Sequence, residues 1–308
     1  MSLRHVSLGW FGAVMGLAGL GLACRGAAPV VKQPPAFSEV WVAAGALVMA
    51  VLLLALLFRM FSDFKAIREE LNDPARLGFC ATLPIGLTLV AGGLQPYAIE
   101  LARLVWWCGA LLLFALQVWA LARWLHEDFE LAHVNGGWMI VMIGGIVMPT
   151  AGVPLGEEAM ARVMFGVSAA ATPIVMGMVF WRSVVGPRIA DALRPAWFIF
   201  LVPSSLIYLN GAALVPGVPG LALEAMFFST LVLVPALLIA SRGFLRWPFT
   251  RLWWAFTFPL DAVAAAAAHY ARSHPGGPWP AITGAALLLA LFFVVLAIYK
   301  TLRSIFPA

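Results

Sequence analysis

Long apolar runs, separated by short polar or turn-forming stretches, dominate this chain of 308 residues. Ten runs can be distinguished, at residues 8–24, 37–61, 79–94, 97–122, 135–152, 159–184, 195–215, 220–241, 251–272 and 279–301. Most approach the roughly 20 residues that a helix needs to cross a bilayer. We number them as the first to tenth segments. The pattern predicts an all-α integral membrane protein with ten transmembrane helices, in which residues 1–308 form a single transmembrane domain.

The composition supports a location in the membrane. Hydrophobic residues make up 63% of the chain and charged residues only 11%. Soluble domains have about 45–50% apolar and about 25% charged residues. This balance excludes a water-soluble enzyme and a nucleic-acid-binding protein, and the expected surroundings are membrane lipids.

The first segment could also be a targeting signal, because Arg4 and His5 precede an apolar run that ends at Cys24. Gly21 stands where a lipoprotein cleavage site has Leu or Val. The run is rich in glycine, as transmembrane helices that pack closely are. We therefore interpret it as a first transmembrane helix, and the signal peptide as the weaker alternative.

The distribution of basic residues predicts the orientation. Lys and Arg are retained on the cytoplasmic side of a membrane. With ten segments and a cytoplasmic N-terminus, fourteen of the nineteen basic residues lie inside. Only Arg25, Lys32, Arg162 and Arg272 lie outside, and Arg103 falls within the fourth segment. The asymmetry predicts that both termini are cytoplasmic.

Prolines recur in the odd-numbered segments. Pro84, Pro149, Pro203 and Pro259 are separated by 65, 54 and 56 residues. Phe79, Phe198 and Trp254 each lie five positions before one of them, and Phe11 lies five before Gly16 in the first segment. Proline weakens a helix and frees a carbonyl group. The spacing predicts five tandem helical hairpins whose weakened odd members surround a central pore.

Catalytic signals are weak. The stretch His126-Glu127-Asp128-Phe129-Glu130 resembles a metal motif but lacks the second histidine of HExxH. An amphipathic loop is the better interpretation. The sequence predicts no catalytic residue, no metal site and no cofactor. A membrane-embedded enzyme, or a resistance factor that binds a partner, remains an alternative of another class.

Charged residues within the membrane are costly and are therefore candidates for function. Glu100 with Arg103, and Glu158 with Arg162, are spaced to pair on one helix face. Asp261 has no basic residue within a turn. It either bonds a neighbouring helix or faces a wet cavity, where it would be a proton or selectivity site. The odd segments carry no Lys or Arg between their ends, so a passage between them would be neutral, with selectivity set by dehydration.

Three stretches resemble the TehA family, which includes tellurite-resistance and dicarboxylate transport proteins and the plant guard-cell slow anion channel. They are Trp10–Leu17, Asn72–Arg76 and the Trp253–Leu260 stretch WWAFTFPL, which is the most specific. The resemblance runs through essentially the whole chain. It implies a homotrimer in which each protomer has its own pore. It also implies that Phe258 plugs this pore and that Gly12 and Gly16 match the family's glycine-rich turn.

The function expected from the sequence is passive conduction of small inorganic anions, gated by Phe258, in the bacterial inner membrane. The alternative is a transporter that couples malate-like dicarboxylates or tellurite to protons through Asp261. Pro84, Pro149, Pro203 and Pro259 are expected at the kinks that line the pore, together with Gly12 and Gly16.

Overall fold

The computed structural model describes residues 7–214 and 220–306, and these residues form helices and connections without strands. Within them, eight helices are long and apolar enough to cross a membrane. The eight are Leu8–Val31, Pro35–Ser62, Leu77–Leu94, Ile99–His126, Glu158–Val185, Arg194–Leu214, Gly220–Ala240 and Trp279–Ile305. Together they make the chain a multi-pass membrane protein. They correspond to all the predicted segments except the fifth and ninth.

The fifth and ninth segments contain shorter helices. The fifth covers Gly136–Gly152 and changes to a 3-10 helix at Gly144–Val147. The ninth begins with a 3-10 helix, Arg251–Phe256, and continues as the 17-residue α-helix Thr257–Ser273. Such an α-helix is about 26 Å long at 1.5 Å per residue, slightly less than the roughly 30 Å of hydrocarbon. The count of ten crossings therefore stays a prediction.

Burial separates the odd segments from the even ones. In the most apolar stretch of each long helix, 61–83% of the residues are buried in the first, third and seventh segments. The corresponding share is 11–33% in the five even segments. In the fifth segment every residue in 136–149 is buried, and in the ninth every residue in 256–264. The odd segments are thus the inner helices, and the even ones form the outer surface.

The five inner segments form a closed ring. Each one contacts the next inner segment along the chain, and the ninth contacts the first. Each inner segment also packs against the outer segment that follows it. Five tandem hairpins around a common axis would give this pattern of contacts.

The breaks in the inner helices precede the prolines. Pro84, Pro203 and Pro259 are each the third residue of an α-helix, in Thr82–Leu94, Leu201–Leu214 and Thr257–Ser273. A short helix or 3-10 turn that contains the aromatic residue comes before each of them: Leu77–Cys80, Arg194–Phe200 and Arg251–Phe256. The first four amides of an α-helix have no partner within the helix, so proline removes no hydrogen bond there. These prolines therefore lie near the starts of α-helices, and the kinks expected at them stay a prediction.

Pro149 and Gly16 differ from that pattern. Pro149 is the first residue of the short helix Pro149–Gly152, directly after the 3-10 turn and Met148. Gly16 lies inside the continuous α-helix Gly12–Val31, and the 3-10 turn of the first segment, Leu8–Phe11, ends directly before Gly12. The first segment therefore breaks at Gly12 and is regular at Gly16.

Charged side chains pair at the two ends of the bundle. One end of the bundle, which we call the basic end, carries the connections 63–76, 127–135, 186–193 and 241–250. There Arg59 and Glu70 form a buried ion pair of 2.9 Å. At the opposite end, Arg103 lies 2.7 Å from Glu100 and 3.1 Å from Glu157. The predicted pairing of Glu100 with Arg103 is confirmed, as is that of Glu158 with Arg162, at 3.5 Å.

Candidate functional site

The ring of inner helices encloses a cavity near the basic end, which we call the basic-end cavity. It contains about 570 Å³ of atom-free space, part of it open at the mouth. All five inner segments contribute to a mostly apolar wall, among them Met15, Phe79, Ile143, Ile199 and Phe258. A cavity lined by every inner helix lies on the axis of the ring.

A second cavity lies further along the same axis, and we call it the opposite-end cavity. It contains about 560 Å³ of atom-free space and is again lined by all five inner segments, through residues such as Gly19, Leu89, Thr150, Leu206 and Asp261. The two cavities together make an interrupted passage through the centre of the ring.

The interruption lies at one level of the ring. In three segments the lining changes from one cavity to the other within four residues, between Met15 and Gly19, between Ile85 and Leu89, and between Val202 and Leu206. In the other two segments, Val147 and Phe258 line both cavities. These two side chains therefore lie at the boundary between the two spaces.

Phe258 is held there by the start of its helix and by the first segment. It is the second residue of the α-helix Thr257–Ser273, directly after the 3-10 turn, and only 6% of it is exposed. Its ring lies over the backbone of Gly19, where an added Cβ would come 3.0 Å from Phe258 Cδ2. Because Gly19 has no side chain, the ring can approach the first helix closely.

Phe256 has quite different surroundings. Its ring packs among five other aromatic rings, with the centroid of Phe198 at 4.7 Å and that of Phe293 at 4.9 Å. It lines neither axial cavity. Phe256 thus lies in a packed aromatic cluster, whereas Phe258, two residues later, lies at the boundary between the two cavities.

The glycines of the first segment pack against the ninth. A Cβ on Gly16 would lie 2.7 Å from Thr257 Cβ, and one on Gly12 would lie 3.4 Å from Trp254 Cβ. The close packing that the glycine-rich sequence predicts is present. Gly12 also lines the basic-end cavity, whereas Gly16 lines neither axial cavity and is a contact point between helices.

The recurring prolines hold different positions relative to the axis. Pro259 lines the basic-end cavity beside Phe258. Pro84, Pro149 and Pro203 are buried, but they are not among the residues that line the two axial cavities. Their place in the structure is at helix starts, through which they position the lining residues around them.

Asp261 faces the opposite-end cavity, one turn beyond Phe258. It is 1% exposed, and neither carboxyl oxygen has a hydrogen-bond partner among the described residues. One oxygen points toward Gly19, where an added Cβ would lie 2.8 Å from Oδ2. Of the two possibilities left by the sequence, the structure favours the cavity over a bond to a neighbouring helix.

Charge is sparse along the axis. Among the described residues that line the basic-end cavity, Arg251 is the only charged one. The opposite-end cavity has Asp261 and, near its outer limit, Arg272, which donates a hydrogen bond to the Gly26 carbonyl. An ion on this axis would meet mostly apolar walls at the level of Phe258.

Sequence reasoning missed Val147 and the position of Arg251. Val147 belongs to the 3-10 turn Gly144–Val147, and nothing distinguishes it from the other apolar residues of its segment. Arg251 was counted only as one of the basic residues at a helix end, although it lines the axial cavity. Both assignments need the relative rotation of several helices, which the sequence pattern does not supply.

Comparison with known proteins agrees with this architecture. The model of the SLAC1 family, described as a voltage-dependent anion channel, matches residues 5–302. The S-type anion channel SLAH3 of Arabidopsis thaliana is 24% identical over 75% of this chain and 36% of its own length. The S-type anion channel SLAH2 of the same plant is 22% identical over 82% of this chain and 50% of its own length.

An uncharacterized transporter of Methanocaldococcus jannaschii is 24% identical over 99% of this chain and 96% of its own length. The chain thus spans about a third to a half of the plant channels, and nearly all of this archaeal relative. The resemblance drawn from the sequence motifs is confirmed. The chain belongs to the SLAC1 family, whose members are anion channels or transporters and not enzymes.

Proposed function

We propose that this protein conducts small inorganic anions passively along the axis of the inner ring, and that Phe258 is the gate. The observation that carries the proposal is the position of Phe258 between two cavities that all five inner helices line. An aromatic ring at such a boundary keeps a constriction dry, and ions cross a dry constriction poorly. Movement of this one ring would join the two cavities.

The chemistry of the walls supports an anion as the permeating ion. Apart from Arg251, the described lining of the basic-end cavity is neutral, and Arg251 carries the charge that attracts anions. A single cation in an otherwise neutral described lining attracts an anion without surrounding it with several charges, so the ion can leave again. Conduction needs such weak binding.

A second candidate is a transporter that couples anions such as malate-like dicarboxylates or tellurite to protons. The observation that favours it is Asp261, whose carboxyl group is buried in the opposite-end cavity without a hydrogen-bond partner among the described residues. A buried unpaired carboxylate is costly, so a proton would bind there readily. Arg272 of its own helix lines the same cavity, and Cys24 of the first segment is close enough to interact electrostatically with it; the cavity-lining residues from the other inner segments are not ionisable.

The two candidates differ in what drives the flux. Purified protein in liposomes would be tested for chloride and nitrate flux, with a proton ionophore present to remove any proton gradient. Passive conduction predicts flux that follows the anion gradient alone. Asp261→Asn should then change only the size or selectivity of the flux.

The contrary result would favour the coupled transporter. That result would be proton-driven uptake of an anion against its own gradient. Asp261→Asn would abolish this uptake, and the exposed control Asp128→Asn would leave it intact. A permanently neutral side chain cannot load and release a proton, which is why the Asn variant separates the two mechanisms.

We further propose ten crossings with both termini in the cytoplasm, in a homotrimer of the bacterial inner membrane. The asymmetry of basic residues supports the orientation. A reporter fused after Ala308 should be cytoplasmic, and a tag within 272–277 should react with reagents outside the cell. A reporter found outside would remove one crossing. Cross-linking in the membrane would test the trimer.

A further inference from the structure

Arg251 lies at the wall of the basic-end cavity. It is the first residue of the 3-10 turn Arg251–Phe256, and the Thr250 hydroxyl caps this turn by accepting a hydrogen bond from the Leu252 amide. The side chain is half-buried, and no other charged side chain among the described residues lines this cavity. The turn thus carries one positive charge to the axis, on the basic side of Phe258.

This charge is not neutralised by a contact within the described residues. Arg251 forms no ion pair and no hydrogen bond with another of them. Among the acidic residues, Glu70 has the strongest electrostatic effect on the Arg251 guanidinium. The Glu70 carboxylate is already engaged by Arg59 at 2.9 Å, by the Ser7 hydroxyl and by the Leu8 amide. The guanidinium therefore keeps N–H donors for a further partner.

The side chain of Arg251 is held in place by a glycine of the first segment. A Cβ on Gly9 would lie 3.0 Å from Arg251 Nε and 3.1 Å from Cδ. The 3-10 turns of the first and ninth segments contact each other at this point. The arginine stem thus passes close over the backbone of Gly9, and a Cβ there would require the stem to shift by a few tenths of an ångström.

We propose that Arg251 is the binding site for a small monovalent anion, a halide or nitrate, at the basic-end entrance to the pore. A guanidinium binds anions through charge and N–H donors together. A dianion would bring a second charge into an apolar cavity that offers no second cation among its described lining residues, and an unpaired buried charge is costly. The site therefore favours monovalent anions. This inference rests on the proposed function, since it places the site on the proposed pathway.

Direct binding tests the site without any need for conduction. Crystals of the full chain would be soaked in bromide, and anomalous diffraction would locate the bound ions. The wild-type protein and Arg251→Lys should show bromide within hydrogen-bonding distance of residue 251, and Arg251→Gln should not. Arg246→Gln is the matched control, because Arg246 is exposed on the same end, five residues earlier. The absence of bromide at Arg251 in the wild type, or its persistence in Arg251→Gln, would overturn the proposal.

Flux measurements test what the site does. In a Phe258→Ala background, Arg251→Gln should lower chloride flux about tenfold at low chloride, the lower end of the range by which charge in a low-dielectric cleft concentrates counter-ions. The difference should shrink as chloride rises, and Arg251→Lys should retain most of the flux. Gly9→Ala should change the flux far less than Arg251→Gln does, because the arginine stem needs to shift by only a few tenths of an ångström. Equal flux with and without Arg251 at low chloride would contradict the role.

The two experiments separate the failure of this inference from that of the proposed function. If Phe258→Ala does not conduct, the gate is wrong, and the bromide experiment still decides whether Arg251 binds anions. If Phe258→Ala conducts and bromide is absent from Arg251, the pore stands and the site is wrong. The melting temperature of Arg251→Gln should stay close to that of the wild type, because no hydrogen bond or ion pair among the described residues is lost.

Discussion

Replacing Phe258 by alanine removes an aromatic ring that, alone among the described aromatic residues, lines both axial cavities. Phe258 lines both cavities, which contain about 570 Å³ and about 560 Å³ of atom-free space, part of it open to the surroundings. Truncation would join the two spaces while the helices stay in place. We expect a permanently open path and a higher anion conductance.

The structure sets the scale of both effects. Truncating a fully packed phenylalanine costs about 3–5 kcal/mol of stability. Phe258 already lies beside empty space, so its loss should cost no more than the lower end of that range. A barrier lowered by about 1.4 kcal/mol raises a rate tenfold. Conductance therefore rises tenfold if the Phe258 ring contributes about 1.4 kcal/mol to the barrier that an ion must cross.

Phe256→Ala is the matched control, two residues earlier in the same segment. Its ring is 1% exposed and lies in a cluster of aromatic rings away from the axial cavities. Its truncation should cost stability at the upper end of the same range and leave conductance unchanged. The assay is chloride or nitrate flux in liposomes, together with the melting temperature of each variant followed by tryptophan fluorescence.

A Phe258→Ala variant that is unstable and does not conduct would contradict the gate assignment. If Phe258→Ala is as unstable as Phe256→Ala and conducts no better than the wild type, Phe258 is a packing residue. The boundary between the cavities would then have to be maintained by Val147 or by the helix backbones, and the gate assignment would be lost.

Two further predictions concern stability. Glu70→Ala should cost about 3–5 kcal/mol, because it removes a buried carboxylate that forms a 2.9 Å ion pair with Arg59 and accepts hydrogen bonds from the Ser7 hydroxyl and the Leu8 amide. Glu69→Ala next to it breaks only an exposed pair worth about 0.5 kcal/mol or less, and equal denaturation midpoints of the two variants would contradict this. Gly16→Ala should cost about 1–3 kcal/mol, because its Cβ would overlap the ninth segment. Gly177→Ala, with open space around the new Cβ, should be neutral or stabilising by up to about 1 kcal/mol, and a Gly16→Ala variant that melts like it would show that the close contact is absent.

The general architecture could be predicted from the sequence because the bilayer restricts the choices. Apolar runs and the recurring prolines predicted which helices lie inside, and burial separates the odd and even segments as expected. The resemblance around Trp253–Leu260 pointed to Phe258, which lies at the boundary of the two cavities. Periodic and motif-like features were therefore informative.

Features that depend on the rotation and local path of the helices could not be predicted. The sequence did not show that Pro84, Pro203 and Pro259 lie near the starts of α-helices, each after a separate short α-helix or 3-10 turn. The wall opposite Phe258 includes Val147, an ordinary apolar residue in sequence terms. From the sequence, Arg251 is interpreted as a basic residue at a helix end. The structure shows that the turn that carries it lies on the axis.

The most direct test of the central claim is the reversal potential of the current through Phe258→Ala. Protein in a planar bilayer would separate two solutions that differ in potassium chloride, at the same pH on both sides. An anion pore gated by Phe258 predicts a potential close to the equilibrium potential of chloride, because the opened path selects anions and needs no protons. A potential near zero, or close to that of potassium, would contradict a Phe258-gated anion pore.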